Sequence, residues 1–373
     1  MHRLVYLCDW LPPDFGAVGQ YSVHFARDRA ARGEEVVLAG LSSTADSVEE
    51  EVCGQGSLRI VRMRRRTYDR ARVVRRALWT LATDVRLLWR LRRELWRTDE
   101  VLITGAPPYM IQVAVPVKLA LGKRLTYRIT DFHPECLIAM LRRVPLPLRM
   151  LHRWTMFLRR RVDRFEVLGE DQRSRLMAQG ISADRITLKR DPSPVVFAPG
   201  TPPLPVPDEL RRSAVLLYSG NLGVAHEWDT VLAGYRMHHG RGSGRVKLWL
   251  NASGAGADLF ESALVREGLP VHRSLPVPLE QLPGLLLAAD AHLITLRDEF
   301  VGYVLPSKVY ACIASGRPVV FVGSERSDVH ALCAEGVSPE RYRRVSVGDA
   351  AGFAAVLEEV ASWRQRAGTP GRG

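Results

Sequence analysis

The chain has 373 residues, enough for two domains that each bury a core of their own. Its hydrophobic fraction of 46% is that of a globular protein and excludes an intrinsically disordered chain. The formal net charge of +13 predicts phosphate-bearing partners, which could be nucleic acid, an anionic membrane or a phosphorylated substrate.

Short apolar runs alternate with longer amphipathic runs, the pattern of strand–helix units around parallel sheets. The predicted strands are residues 4–7, 35–39, 58–61, 101–103, 125–129 and 164–167 in the first half, and 215–218, 246–250, 292–296 and 318–322 in the second. The expected fold is α/β, with two facing, doubly wound, Rossmann-like parallel-sheet domains. Ligands of such sheets bind beyond the carboxyl ends of the strands, so we expect a ligand cleft between the domains.

A proline-rich segment separates the two halves of the chain. Residues 191–210 read DPSPVVFAPGTPPLPVPDEL, and so many prolines disfavour both a helix and a central strand. We therefore predict a first domain, a linker, a second domain and a C-terminal helix with a flexible tail. Their predicted bounds are 1–195, 196–209, 210–355 and 356–373.

The loop after the first predicted strand contains the first candidate site residues. Asp9 stands near the end of that strand, and the loop LPPDFGAVGQ contains Gly16 and Gly19. Glycines at such a place let the backbone approach a ligand closely, and the helix that follows favours anions. Ordinary turn glycines would give the same pattern.

Two arginine-rich segments occur in the first half. Residues 62–97 contain thirteen arginines against three acidic residues, and residues 141–164 contain eight more with Trp154 and Phe157. Helical spacing in the first segment places an apolar stripe beside a stripe of alternating Arg and Trp, which suits the headgroup layer of an anionic membrane. Alternatively, both helices pack on the sheet and show their arginines to water. The apolar stripe is Leu78, Leu81, Val85, Leu88 and Leu95, and its neighbour is Arg75, Trp79, Arg86, Trp89, Arg93 and Trp96.

The loop after the fifth predicted strand, TDFHPEC, concentrates side chains that transfer protons or hold hydroxyl groups. They are Asp131, His133 and Glu135, and we predict a catalytic or acceptor-side role for them. Alternatively, Asp131 caps a turn and Glu135 is a solvated residue in the first turn of a helix.

Two loops in the second half again join a strand to a helix through glycines, an arrangement that forms phosphate-facing turns. Neither loop matches G-x-G-x-x-G followed by an acidic residue, so a nicotinamide dehydrogenase is not indicated. Arg297 follows a buried strand and is either a ligand contact or a surface charge. The candidate residues of the two loops are Gly220, Asn221, Gly223 and His226 in and after YSGNLG, and Ser253 and Gly254 in NASGAG.

The most informative segment is residues 300–321, FVGYVLPSKVYACIASGRPVVF. It predicts a loop that ends in Pro306 and Ser307, a helix from Lys308, a helix stop at Gly316 and a buried strand. Backbone N–H groups at a helix start, together with one lysine, form an anion site that fits a diphosphate.

The order of YSGNLG, LITLR and PSKVYACIASGRPVV resembles the donor domain of GT-B glycosyltransferases, specifically the P-S-K branch of family 4 found in bacterial surface polysaccharide synthesis. The first half is similar in its glycine-bearing first loop, in TGAPPY and in TDFHPEC. The resemblance covers roughly residues 4–360. It implies that a sugar passes from a nucleoside diphosphate donor to an acceptor with retention of configuration.

Several side chains typical of that family are replaced here. The two glutamates of its E-x7-E pair fall on Tyr303 and Ala311, and the usual diphosphate-binding Arg and Lys fall on Asn221 and His226. The histidine of the acceptor-side motif falls on Thr130. Lys308 is therefore expected to supply most of the positive charge, with Arg297 as a second source.

The predicted function is a hexosyltransferase-type glycosyltransferase with a nucleotide-sugar donor and a lipid-linked or glycan acceptor. We expect no cofactor and no metal, because the chain has no D-x-D triplet, and no nucleic acid partner, because no recognition motif accompanies the charge. The alternatives are a nucleotide-sugar epimerase and a non-catalytic GT-B subunit that supports a partner enzyme. The base, the sugar and the acceptor are not predicted.

Cysteine spacing and hydropathy bear on location. The five cysteines have no C-x-x-C spacing, so neither a zinc knuckle nor a disulfide framework is indicated. The first apolar run is too short for a secretion signal, and no stretch of about 18 apolar residues occurs. We expect a cytoplasmic protein that is peripheral at the inner face of the membrane.

Overall fold

The computed structural model describes residues 1–14, 17–65, 73–105, 108–193 and 195–366. The chain divides into two compact units. Unit 1 comprises Met1–Asp191 with Gly302–Val304, and unit 2 comprises Pro192–Val301 with Leu305–Gly373.

Unit 1 is built on an eight-stranded sheet with seven helices among its described residues. The strands are β1 (Arg3–Trp10), β2 (Glu35–Ser42), β3 (Ser47–Cys53), β4 (Gly56–Arg64), β5 (Glu100–Thr104), β6 (Arg124–Ile129), β7 (Arg164–Val167) and β8 (Ile186–Leu188). The helices are α1 (Ala17–Ala31), α2 (Val73–Arg90), α3 (Arg92–Arg97), α4 (Met110–Leu121), α5 (Glu135–Ala139), α6 (Leu146–Arg159) and α7 (Glu170–Ala178).

The strand order of this sheet is β3-β4-β2-β1-β5-β6-β7-β8. All neighbouring strands are parallel except β3, which is antiparallel to β4. The sequence predicted a parallel sheet, so the antiparallel β3 is a difference from that prediction. The chain order reverses between β1 and β5, and doubly wound sheets bind ligands at such a reversal. Helix α4 packs against both α2 and α6, so these three helices form one layer of unit 1.

Unit 2 contains a six-stranded parallel sheet in the order β11-β10-β9-β12-β13-β14. The strands are β9 (Ala214–Asn221), β10 (Val246–Ser253), β11 (Val271–Ser274), β12 (Ala291–Thr295), β13 (Val319–Val322) and β14 (Tyr342–Val345). The helices are α8 (Asp229–Arg241), α9 (Ala255–Arg266), α10 (Leu282–Ala288), α11 (Lys308–Ala314), α12 (Asp328–Gly336) and α13 (Ala350–Arg366). The chain order reverses between β9 and β12, the order of a Rossmann sheet.

The ten predicted strands are all present, and the α/β prediction with two parallel-sheet domains is confirmed. The four strands that the sequence did not predict, β3, β8, β11 and β14, are the four sheet edges. An edge strand buries less of its surface and so carries fewer apolar residues than a central strand such as β5, whose five residues are all buried.

The end of the proline-rich segment and the C-terminal helix contribute residues to the core of unit 2. Val206 and Leu210, near the end of the proline-rich segment, are buried in one cluster with β9 residues such as Val215. Helix α13 begins at Ala350, before the predicted bound of 356, and buries Phe353 against α8. Among the described residues, no helix combines the length and the apolar character needed to cross a membrane.

Candidate functional site

Lys308 lies near the β9–β12 reversal of unit 2, at the start of α11. Its ammonium is buried and, among the described residues, has no hydrogen-bond acceptor. The Nζ atom lies 3.4 Å from the centroid of the Tyr218 ring, a cation–π contact. Burial lowers the pKa of Lys308 to about 7, and a negative charge at the nearby Cys312 would oppose this shift. A buried ammonium with no partner is a strong candidate for binding an anion.

The backbone of β9 passes close to Lys308 at Gly220. Gly220, the residue before the last of β9, has φ +114°, and a Cβ atom there would stand 3.8 Å from Lys308 Nζ. Helix α11 has only seven residues, so the Lys308 ammonium is a stronger source of positive charge than its short dipole. Pro306 and Ser307 form the turn into this helix, with the Val309 N–H donating to the Pro306 carbonyl at 3.1 Å.

The two glycine loops meet where β9 and β10 end. Asn221 and Ser253 are register partners on these strands. Gly254 has φ +98°, and a Cβ atom there would collide with Asn221 Oδ1, so close packing of the two loops requires glycine. Gly223 accepts a backbone hydrogen bond from His226 at 3.1 Å and closes the turn between β9 and α8.

His226 lies close to Lys308 but is neutral. Its Nδ1 lies 2.8 Å from the Thr295 carbonyl oxygen at the end of β12, and its ring meets the Tyr218 ring edge to face with centroids 5.7 Å apart. Burial and the nearby Lys308 charge lower the pKa of His226 to about 3. His226 therefore does not supply the positive charge that lysine gives at this position in the family the sequence resembles.

Arg297 is already ion-paired. Its Nη2 lies 3.4 Å from Asp229 Oδ2, and its Nε lies 3.8 Å from Glu227 Oε2. Glu227 in turn accepts from the Thr230 N–H at 2.8 Å in the first turn of α8. These contacts hold the loop before α8 in place, so Arg297 is less available to a ligand than Lys308. Ala311, which aligns with the second family glutamate, is buried in the core.

In unit 1, the candidate residues of the TDFHPEC loop follow the end of β6. Asp131 is half-buried, and its removal from water raises the pKa of its carboxyl to about 6. The His133 ring lies 6.5 Å from the Tyr109 ring, measured between centroids, so this loop and the loop after β5 are neighbours. Glycine at position 105 permits this close approach, because a Cβ atom there would stand 2.9 Å from the Asp131 carbonyl oxygen.

Glu135 has a partner that the sequence did not reveal. Both of its carboxylate oxygens accept from the fully buried Arg159 of α6. Burial would raise the pKa of Glu135, but the neighbouring His152 and the charge and hydrogen bonds of Arg159 outweigh it and lower the pKa to about 2. Arg159 also donates to the His133 carbonyl oxygen at 3.1 Å. These contacts suit Glu135 to holding the loop rather than to accepting a proton.

Asp9 lies near the end of β1, beside an unexpected acidic residue. Asp84 of α2 is fully buried, and neither of its oxygens has a hydrogen-bond partner among the described residues. Burial, with a smaller effect of the Asp9 charge, raises the pKa of Asp84 well above its usual range. Gly19 has a packing role, because a Cβ atom there would collide with the Trp10 carbonyl. Gly16 lies outside the described residues.

Tyr218, Arg159 and Asp84 were not singled out from the sequence. Tyr218 belongs to the YSGNLG motif, so its position before the glycine loop was a usable signal. Arg159 and Asp84 lie within amphipathic helices, where nothing in their spacing distinguishes them from solvated neighbours. Within the described ranges, no group of three or more His, Cys, Asp and Glu side chains is arranged to hold a metal ion.

The chain is similar to known glycosyltransferases, although no protein-family model matches it. Over 265 residues, 64% of this chain and 61% of the relative's length, it is 24% identical to the probable glycosyltransferase WbjE of Pseudomonas aeruginosa.

Similar solved structures include the lipopolysaccharide outer core galactosyltransferase WaaB in its apo form and HepE of Anabaena in complex with UDP-glucose. WaaB is 15% identical with a TM-score of 0.55, over 96% of this chain and 90% of its own. HepE is 12% identical with a TM-score of 0.65, over 97% and 92%. The chain therefore has the GT-B fold, with its two parallel-sheet α/β domains.

Proposed function

We propose that this protein is a glycosyltransferase that binds a nucleoside diphosphate sugar in unit 2. The observation that carries the proposal is the buried Lys308 ammonium, which has no acceptor among the described residues. It lies near the strand-order reversal of a Rossmann-type sheet, the usual ligand position of this architecture. A diphosphate would supply the acceptor oxygens that the ammonium lacks.

Catalysis would come mainly from electrostatic stabilisation of the leaving nucleoside diphosphate. Lys308 would provide the positive charge, and we propose that no metal is needed for this role. The P-S-K segment supports a family 4-like enzyme that transfers a hexose with retention of configuration. In that chemistry the departing phosphate can itself take the acceptor proton, so no strong base is required.

The donor class is supported by the relatives. WbjE is named a probable glycosyltransferase, and HepE was solved with UDP and glucose and with UDP-glucose. UDP-sugars are therefore the first donors to test. The arrangement around Lys308 does not by itself select the base.

The acceptor would bind unit 1 through Asp131 and His133 at the end of β6. A carboxyl with a pKa of about 6 is ionised at neutral pH and is close enough to neutrality to take up a proton. Asp9, near the end of β1, is a further candidate at the same edge of the sheet. Arg159 would keep the loop from His133 to Glu135 in its geometry.

We further propose that unit 1 docks on an anionic membrane and takes a lipid-linked acceptor in bacterial polysaccharide or glycoconjugate synthesis. Two exposed apolar stripes support this proposal. The α2 stripe is Leu78, Leu81, Val85 and Trp89, and the α6 stripe is Leu146, Met150, Trp154 and Phe157.

The side chains of both stripes are 39% to 69% exposed. Each stripe follows one face of its helix, and α4 lies between the two helices. Exposed arginines flank them, including Arg86 and Arg90 on α2 and Arg149 and Arg153 on α6. Apolar side chains bordered by arginines fit the interface of an anionic bilayer.

The test is turnover by the purified chain. UDP-glucose and a panel of other nucleotide sugars would be incubated with lipid extracts, and nucleoside diphosphate release and glycolipid would be measured. Donor-dependent glycolipid formation is the expected result. Nucleotide binding without turnover would favour the non-catalytic subunit, and an isomerised donor would favour the epimerase. Absence of nucleotide binding would contradict the proposal.

A further inference from the structure

His226 presents a hydrogen-bond acceptor beside the Lys308 ammonium. A carbonyl oxygen can only accept, so the 2.8 Å contact with the Thr295 oxygen requires the proton to be on Nδ1. The imidazole is neutral, since burial and Lys308 hold its pKa near 3. Its Nε2 therefore has a lone pair and no proton. Among the described residues no donor bonds to that atom.

Tyr218 keeps the two groups together. One ring contact places Lys308 Nζ at 3.4 Å from its centroid, and another places the His226 ring at 5.7 Å. The Tyr218 hydroxyl donates to the Asn221 carbonyl oxygen at 3.0 Å, which ties the ring to the end of β9. A cationic donor and a neutral acceptor thus flank one aromatic ring.

In the protonation states of the free protein, a diphosphate alone does not satisfy both groups. Its oxygens would pair with Lys308, but they carry no hydrogen at neutral pH and would repel the Nε2 lone pair. A ligand that fits both groups has an anionic oxygen and, close to it, a hydroxyl group. A nucleoside diphosphate sugar has hydroxyls on both sides of its diphosphate, on the ribose and on the transferred sugar.

We propose that His226 is a specificity-determining residue whose Nε2 accepts a hydrogen bond from a hydroxyl of the nucleotide sugar while Lys308 binds its diphosphate. This inference rests on the proposed function and deepens it, because it identifies how the site recognises the uncharged hydroxyl groups of the donor. With a lysine at the position of His226, as in the family that the sequence resembles, both contacts would be made to phosphate. Here one contact is reserved for a hydroxyl.

Two substitutions separate this role from a purely structural one. In His226→Asn, the amide nitrogen can replace Nδ1 and keep the Thr295 contact, but no acceptor remains at the position of Nε2. In His226→Gln, the longer amide can place an oxygen near the position of Nε2. We expect His226→Asn to weaken UDP-glucose binding about fivefold to tenfold, the size of one neutral hydrogen bond, and His226→Gln to retain most of the affinity.

The measurement is calorimetric titration of folded wild-type protein and both variants with UDP-glucose and with UDP. A loss confined to UDP-glucose assigns the hydroxyl to the transferred sugar, and an equal loss for both ligands assigns it to the ribose. UDP-sugar analogues that each lack one hydroxyl should then identify the group. The analogue that lacks the hydroxyl bound by His226 should bind wild-type protein and His226→Asn with equal affinity.

The inference is overturned if wild-type protein binds UDP-glucose and His226→Asn binds it equally well, or if His226→Gln loses more affinity than His226→Asn. The second result would mean that the Thr295 contact is what matters. Failure of wild-type protein to bind any nucleotide sugar would instead overturn the proposed function, so the two failures are distinguishable.

Discussion

Lys308 is the residue on which donor binding should depend most. Its ammonium is buried without an acceptor among the described residues, so a diphosphate would gain a charge-assisted contact there. We expect Lys308→Ala to weaken UDP-glucose binding by about 1–3 kcal/mol, measured by calorimetry on a folded variant. The control is Lys247→Ala in the same unit, whose Nζ donates to the Glu209 carbonyl instead. Unchanged affinity in Lys308→Ala would rule out the assignment.

The same lysine should make donor binding pH-dependent. Its pKa of about 7 means that above neutral pH the free protein must take up a proton before Lys308 can pair with a diphosphate. Affinity for UDP-glucose, whose diphosphate charge is constant in this range, should therefore fall by up to tenfold per pH unit above about pH 7. Lys308→Arg keeps its charge and should flatten that dependence. An equally steep profile in that variant would contradict this explanation.

Asp131 and His133 should affect transfer without affecting the donor. Asn at 131 or Ala at 133 is expected to lower the transfer rate by about tenfold or more, the scale of general acid–base catalysis, while UDP affinity stays nearly constant. Because the pKa of Asp131 is about 6, the wild-type rate should also fall as the pH drops below that value. The exposed Glu170→Gln serves as control. If both site variants transfer sugar at the parent rate, Asp9 is the next residue to test.

Asp84 should cost stability at neutral pH. Above the ordinary pKa of an aspartate, the folded chain still holds a proton on Asp84 that the unfolded chain has released, so stability falls as the pH rises towards the elevated pKa. Asp84→Asn removes that ionisation. It should raise the free energy of unfolding at pH 7–8, with a gain that shrinks by at most about 1.4 kcal/mol per pH unit as the pH falls towards 4. Urea unfolding across that pH range measures the effect, with the exposed Asp184→Asn as control. If the difference in unfolding free energy between wild-type protein and Asp84→Asn does not change with pH, Asp84 does not titrate in this way.

At the scale of elements, α2 has two apolar faces. On α2, Leu87 and Leu88 pack into the core, whereas Leu81 and Val85 are exposed beside Trp89. Trp79 differs from the other tryptophans of the predicted Arg–Trp stripe, because it is half-buried and stacks on Trp10 with centroids 6.4 Å apart. We therefore expect bilayer insertion to involve the α2 and α6 stripes rather than Trp79.

Substitutions on the α2 stripe should weaken membrane binding without unfolding the protein. We expect Leu81→Ser, Val85→Ser and Trp89→Ser together to lower vesicle affinity at least tenfold even at low salt, because apolar insertion is lost. Leu259→Ser with Val265→Ser, both exposed on α9 of unit 2, is the control. Sedimentation with anionic vesicles measures the effect. Equal binding by both variants would favour the alternative in which α2 and α6 pack on the sheet and show their arginines to water.

At the scale of the whole molecule, the net charge of +13 should govern membrane attraction. Each basic residue near an anionic surface contributes about 1 kcal/mol, and salt screens that attraction. The protein should co-sediment with vesicles rich in anionic lipid, bind neutral vesicles far less, and detach as the salt concentration rises. Binding that ignores lipid charge would exclude electrostatic docking.

The sequence alone was sufficient for the central architecture. The central strands of both sheets are buried on two faces and appear as short apolar runs, and the loops after them carry Lys308, Asp131 and the glycines. A strand buried on both faces consists mostly of apolar residues, so a short stretch of sequence is enough to recognise it. The order of these pieces along the chain was enough to indicate the fold that the solved structures share.

Tertiary structure decided the sheet edges and the partners of each charge. Strands β3 and β14 pair on one side only and lack a clear apolar signal. Glu135 meets Arg159 across 24 residues of sequence, and Arg297 meets Asp229 across 68. The Lys308 ammonium lies over an aromatic ring and has no hydrogen-bond acceptor among the described residues. Whether a charge is paired, neutral or available to a ligand depends on which distant residues fold against it, and local composition and spacing contain no information about that.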